Sequence, residues 1–229
     1  MSFIPGTCSN FVLILMANNV MNIKVCGITQ YKQLQQLDGI NIDFAGLIFH
    51  PGSPRNVNGK INPTQLKDSD FDLKITGVFL DAEMIDILTA IDDYGLDVVQ
   101  LHGNETPEMC EDLSEEVEVI KVFSLSDDEA DIDAMIAPYD AVCDYYLFDT
   151  KPSDGATGGT GKKFDWKRLA KAKIEKPFFL SGGISVDDID SIKKFKHPDF
   201  FGIDINSRFE KEPGVKDMVL VLKIKQGLK

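Results

Sequence analysis

The chain has 229 residues, 43% hydrophobic and 27% charged, with 37 acidic against 24 basic side chains and a formal net charge of −13. That size and composition suit a single globular domain with a sizeable core. The acidic balance, with no Lys/Arg cluster to offset it, argues against nucleic acid as a partner, because such a surface repels a phosphate backbone. The four cysteines, Cys8, Cys26, Cys110 and Cys143, are far apart with no CxxC pair. They suggest neither a zinc site nor a disulfide framework, and so few of them fit a reducing cytoplasm.

The first twenty residues stand apart. Phe11 to Ala17 is an apolar run, too short to span a membrane as a helix. No Lys or Arg precedes it, so the basic start of a signal peptide is missing. Met21 stands immediately before Asn22-Ile23-Lys24-Val25-Cys26, which reads as a natural first strand. Residues 1–20 are therefore expected to be a poorly ordered, dispensable extension, with a weak secretion or membrane-tethering signal as the alternative, and 21–229 the folded domain.

From Asn22 onward, short β-branched or aromatic runs alternate with stretches of helical period. Strands are expected at 22–27, 43–49, 73–80, 97–102, 117–123, 144–149, 177–181 and 200–205. Each is apolar enough to be buried on both faces, as parallel strands are. Helical stripes run from Asp81 to Asp93, Asp127 to Ala137, Val186 to Phe195 and Lys216 to Gln226. Eight such units favour a closed (β/α)8 barrel over an open doubly wound sheet, in one domain. In that architecture function sits at the C-terminal ends of the strands.

Strand one ends at Cys26, a base or nucleophile if its pKa is lowered, or otherwise a small buried hydrophobe. Lys24, two residues back on the same strand face, would favour the thiolate. Strand two runs into a proline-stiffened loop carrying Arg55, suited to bidentate capture of a carboxylate or else a solvated charge. Strand four places Gln100 and His102 on one face, either to orient substrate or as structural polar groups. Strand six ends at Asp149, a general acid if partly buried, or a loop cap. The glycine-rich segment Lys151 to Lys163 follows it, a candidate lid. After strands seven and eight come Ser181-Gly182-Gly183 and Asp204-Ile205-Asn206-Ser207, loops suited to holding phosphate through backbone N–H groups.

Eight segments carry a family resemblance: KVCGIT at 24–29, SPR at 53–55, GVF at 77–79, VQLHG at 99–103, LFDT at 147–150, GGTGKKFDW at 158–166, LSGGI at 180–184 and PGVKD at 213–217. In their order and spacing the chain resembles phosphoribosylanthranilate isomerase over essentially all of 22–229. The resemblance implies a cofactor- and metal-free Amadori rearrangement of a small phosphorylated substrate in the cytoplasm, by a monomer or homodimer with no membrane or nucleic-acid partner. It implies Asp149 as general acid, Cys26 as general base and Arg55 on the anthranilate carboxylate. Gln100 and His102 would bind substrate and Gly159 to Gly161 would form a lid. Gly182, Gly183, Asn206 and Ser207 would hold phosphate, with Asp204 near the mouth as a further substrate-binding residue. One departure is Asn206-Ser207-Arg208, where many relatives carry small residues and glycine. Among other barrels, the histidine-pathway Amadori isomerase uses two aspartates, which Cys26 does not match. Indole-glycerol-phosphate synthase uses lysines, to which Lys24 and Lys121 bear a superficial likeness. Lys121 reads instead as an ordinary strand-end charge. A silent phosphosugar-binding barrel would have no need of both Cys26 and Asp149.

Overall fold

Residues 21–126, 131–150 and 165–229 are described by the computed structural model. Eight parallel strands close into a barrel in sequence order: β1 (Asn22–Cys26), β2 (Phe44–Ile48), β3 (Lys74–Phe79), β4 (Val98–Leu101), β5 (Glu118–Leu125), β6 (Tyr145–Thr150), β7 (Phe178–Leu180) and β8 (Phe200–Ile205). Closure is made by β8 pairing back onto β1, with Lys24 opposite Asp204 and Val25 opposite Ile205. Among the described residues, seven α-helices pack outside: α1 (Tyr31–Asp38), α2 (Pro63–Lys67), α3 (Met84–Tyr94), α4 (Pro107–Ser114), α5 (Ile132–Ile136), α6 (Ile189–Lys194) and α7 (Met218–Leu228). The strand expectations therefore hold, each within a few residues.

The expected alternation of strands with helices holds, although no bounds were set for α1, α2 and α4. α2 and α4 open on capped prolines, Asn62-Pro63 and Thr106-Pro107, whose side-chain oxygens accept from Gln65 N and Met109 N. Such starts are favourable, but five and eight residues leave little periodicity to read. The last helix begins at Met218, capped by Asp217, and not at Lys216. Lys216 belongs instead to an antiparallel ribbon of β9 (Glu210–Glu212) and β10 (Val215–Lys216) that follows β8.

The barrel interior is layered. Its lower part is plugged by Phe44, Val98, Ile120, Val122, Leu147 and Phe179. Phe44 and Phe179 meet edge to face at 5.3 Å. Burying side chains of this kind contributes about 1.5–3 kcal/mol each. Higher in the same interior the layer turns polar, with Lys24, Thr76, Gln100 and Asp204 all buried. The plug thus supplies a rigid floor, and the polar groups stand between it and the strand ends where chemistry can occur.

Candidate active site

Lys24 and Cys26 project from one face of β1, two residues apart, as the strand period requires. Lys24 is fully buried, and its Nζ donates to Asp204 Oδ1 at 3.0 Å. Cys26 lies beside it, 4% exposed. Both side chains fold over Gly46 on β2. A Cβ there would come 2.9 Å from the Cys26 sulfur and 3.2 Å from Lys24 Nζ, so only glycine leaves them room. Burial pushes the Cys26 thiol above its ordinary value; Lys24 and Lys216 oppose that, and Asp204 adds to it. The lowered thiol pKa expected from Lys24 is thus not met, because desolvation outweighs the ammonium.

Asp149 ends β6 on the other side of the mouth, its side chain 24% exposed. Its Oδ1 accepts from Thr150 N at 2.7 Å, and His102 Nε2 lies 3.6 Å from Oδ2. Burial raises the carboxyl pKa, with His102 and the Thr150 N–H opposing. Burial lowers His102, although Asp149 and Asp204 raise it, so the ring is neutral near pH 7. Gln100 Nε2 lies 3.4 Å from His102 Nδ1. Gln100 is only 1% exposed.

Three loops meet above β1 and β8. A Cβ on Gly27 would fall 2.7 Å from Arg55 Cδ and 2.9 Å from Asn206 Oδ1. Arg55 Nε and Nη2 grip Glu210 at 2.6–3.0 Å. The two-toothed edge expected to face substrate is thus already engaged by Glu210. Glu210 also accepts from Lys216 Nζ at 2.7 Å and Gly214 N at 3.1 Å, and these donors with Arg55 hold its carboxyl below the usual range despite burial. Lys216 Nζ donates to Asn206 Oδ1 at 2.7 Å. At the neighbouring loop, Gly182 has φ +90, and a Cβ would strike Thr150 Oγ1 at 2.2 Å. With Gly183 at φ +66, this left-handed turn is one that side chains resist. Ser207 opens a short 3₁₀ turn, Ser207–Phe209, and is exposed beside Arg208.

Against this geometry, residues 23–227 match the sequence profile of N-(5'-phosphoribosyl)anthranilate isomerase. The chain belongs to the N-(5'-phosphoribosyl)anthranilate isomerase family. Curated relatives of that name include one from Parabacteroides distasonis, 40% identical over 86% of this chain and 89% of its own. Another, from Phocaeicola vulgatus, is 39% identical over 86% and 92%. Among solved structures, the Thermotoga maritima isomerase superposes with a TM-score of 0.76 at 28% identity, over 91% of this chain and 98% of that one. An isomerase solved in complex with reduced 1-(o-carboxyphenylamino)-1-deoxyribulose 5-phosphate gives 0.70 at 25%, with the same coverage.

As an isomerase barrel, the structure brings Cys26, Asp149, His102, Arg55, Gly182, Gly183, Asn206 and Ser207 to one end. Gly159 and Gly161 lie outside the described residues. Asp204, expected to bind substrate, is 6% exposed and committed to Lys24 and to Ser181, whose Oγ donates to its Oδ2 at 3.3 Å. Lys121 is not a strand-end surface charge. It is 3% exposed and donates to Glu105 Oε2 and Gly103 O, each at 2.8 Å, a brace behind β4. Glu210 and Lys216 were missed as site residues in the sequence, and Ser181 was read only as part of a phosphate loop. The PGVKD segment holds Lys216, but nothing local marks Glu210 as the anchor of Arg55.

Proposed function

We propose that the protein converts N-(5-phosphoribosyl)anthranilate to 1-(2-carboxyphenylamino)-1-deoxyribulose 5-phosphate, an aldose–ketose (intramolecular redox) isomerisation in tryptophan biosynthesis, in the cytoplasm. The observation that carries the reading is the placement of Cys26 and Asp149 at the mouth of a barrel that matches the isomerase family over 23–227. Residues 21–229 form the catalytic domain in this reading, and 1–20 an extension outside it.

Asp149 protonates the furanose ring oxygen, and the ring opens to an iminium. A carboxyl held above its ordinary pKa keeps more of its acid form near neutrality. Cys26 then removes the C2′ proton to give the enolamine. Its thiol resists ionisation in the buried site, and the iminium cation formed beside it favours the thiolate when that base is needed. Arg55 Nη1 reaches the anthranilate carboxylate, with Glu210 fixing the plane of the guanidinium. The Gly182-Gly183 turn, Asn206 and Ser207 take the phosphate. His102, neutral, supports Asp149 as it becomes a carboxylate.

Two expected results follow from these roles. Arg55→Ala removes a charge-assisted contact of about 1.5–3 kcal/mol, so KM should rise roughly 10- to 100-fold with kcat changed much less; an unchanged KM contradicts the assignment. The active form needs Cys26 ionised and Asp149 protonated, and both pKa values are raised. Activity is lost only as pH climbs past the higher of the two, the thiol, because beyond it the protonated fraction of Asp149 keeps falling with no further gain in thiolate. The alkaline limb of kcat/KM should therefore lie above the ordinary thiol value of about 8.5. A limb below it contradicts the buried-thiol picture. For the function itself, expression in a bacterium lacking its own isomerase should restore growth without tryptophan, and failure of a soluble, folded product to do so opposes the reading.

A further inference from the structure

A substrate with a carboxylate at one end and a phosphate at the other is oriented for reaction only when both ends are held. Four side chains form an unbroken line of short contacts between the residues assigned to those ends. Arg55 Nε and Nη2 donate to the Glu210 carboxylate at 2.6–3.0 Å. Glu210 Oε1 accepts from Lys216 Nζ at 2.7 Å, and the same ammonium donates to Asn206 Oδ1 at 2.7 Å. The middle of the line is buried, with the Lys216 and Glu210 side chains 0% and 4% exposed.

The line is anchored independently of its ends. Gln33, 4% exposed, donates to the Lys216 carbonyl at 2.9 Å and accepts from the Lys216 N–H at 3.0 Å. Thr29 Oγ1 donates to Gly214 O at 2.7 Å, and Gly214 N donates to Glu210 Oε1 at 3.1 Å. Gly214 has φ +87, and a Cβ there would strike Thr29 at 2.7 Å, so the turn of the β9–β10 ribbon is seated on the loop that follows β1. Arg55 and Asn206 both close on Gly27, the residue after Cys26, where a Cβ would lie 2.7 Å from Arg55 Cδ and 2.9 Å from Asn206 Oδ1.

The middle pair dictates how each end can act. An ammonium only donates, so it must meet the oxygen of the Asn206 amide, and the amide cannot turn that oxygen toward an anion without losing Lys216. A carboxylate across one edge of Arg55 fixes the plane of the guanidinium. We propose that Glu210 and Lys216 are positioning residues that lock Arg55 and Asn206 to one another, so that the carboxylate and the phosphate of the substrate are recognised as one pattern. This rests on the isomerase reading, in which those two residues meet those two groups. The bridge touches no reacting atom. It removes the freedom of either anion site to shift when the other is filled.

Michaelis constants for N-(5-phosphoribosyl)anthranilate in a double-mutant cycle test the bridge. Arg55→Ala and Asn206→Ala each release one end of it, so the KM rise in the double variant should fall short of the product of the single rises by at least about threefold, as for coupled groups. In a Glu210→Gln background, where the bridge is already broken, the two rises should multiply. Glu210→Gln alone should raise KM roughly tenfold with kcat nearly unchanged. Lys216→Met breaks the bridge at its other joint and should also make the rises multiply, so either background, checked as folded by circular dichroism, serves. Rises that multiply in the parent would show no coupling, and coupling that persists in both backgrounds would be carried by the substrate itself; each result overturns the proposal. So would a lower KM in Glu210→Gln, which would make Glu210 only a counter-charge that weakens the pull of Arg55 on anions. Absence of turnover in the unaltered protein would refute the isomerase reading, and the proposal with it.

Discussion

Replacing Cys26 by serine, or Asp149 by asparagine, is expected to lower kcat roughly 10²- to 10⁴-fold, the range that one positioned acid or base contributes. Serine is close to cysteine in size and fits the space over Gly46, but its hydroxyl is far less acidic than a thiol and cannot serve as base at neutral pH. Asparagine retains the shape of Asp149 and can still accept from Thr150 N, yet it has no proton to give the ring oxygen. KM should change little in either variant, because neither group is needed to hold the phosphate or the carboxylate. Asp149→Asn carries a second signature. A carboxyl whose pKa is raised by folding binds its proton more tightly in the native state, so its contribution to stability fades as pH rises through the folded pKa. At neutral pH the aspartate is thus a burden on the fold, and the asparagine variant should melt at a higher temperature than the parent while being nearly inactive. Near-native turnover in either variant would remove that residue from its role, and a lower melting temperature for Asp149→Asn would contradict the stated burial.

Lys121→Ala should produce the opposite pattern: a large loss of stability with little change in chemistry. Lys121 and Glu105 are 3% and 1% exposed at their side chains and meet at 2.8 Å. Glu105 also accepts from Gly103 N and Asp81 N, so the pair ties the loops after β3 and β4 together. Breaking a buried pair from one side strands the other charge and costs about 3–5 kcal/mol. At roughly 2–4 °C per kcal/mol for a chain of this size, the melting temperature should fall on the order of 10 °C. Activity per folded molecule at low temperature should remain near native. Glu105→Leu added to Lys121→Met should recover part of the loss, since removing both charges leaves none stranded. If Lys121→Ala instead abolished turnover without lowering the melting temperature, Lys121 would be catalytic, as in the lysine-dependent synthase barrels.

The strands were legible because each is a continuous apolar run that only a doubly buried parallel strand explains, and the positions of Cys26, Asp149 and the Gly182-Gly183 turn followed from strand ends alone. What was not legible depends on contacts across the fold. Lys24 shares a face with Cys26 by simple alternation, but its burial makes sense only with Asp204, 180 positions away. Desolvation then reverses the expected direction of the thiol shift, which no spacing can reveal. Arg55 looked available until the ribbon of β9 and β10 brought Glu210 against it. That ribbon is short and charged, and its last residue was absorbed into the apolar stripe of α7. Short helices that begin on Pro63 and Pro107 escaped for a related reason, having too few turns to show a period.

The central claim is that this barrel rearranges N-(5-phosphoribosyl)anthranilate by acid–base chemistry between Cys26 and Asp149. The most direct measurement mixes purified protein with freshly prepared substrate and follows the loss of anthranilate fluorescence, with Cys26→Ser in parallel. Rapid loss with the parent protein and little with the variant is the predicted result. Binding of phosphate compounds without turnover by either protein would contradict the account and leave only a phosphosugar-binding barrel.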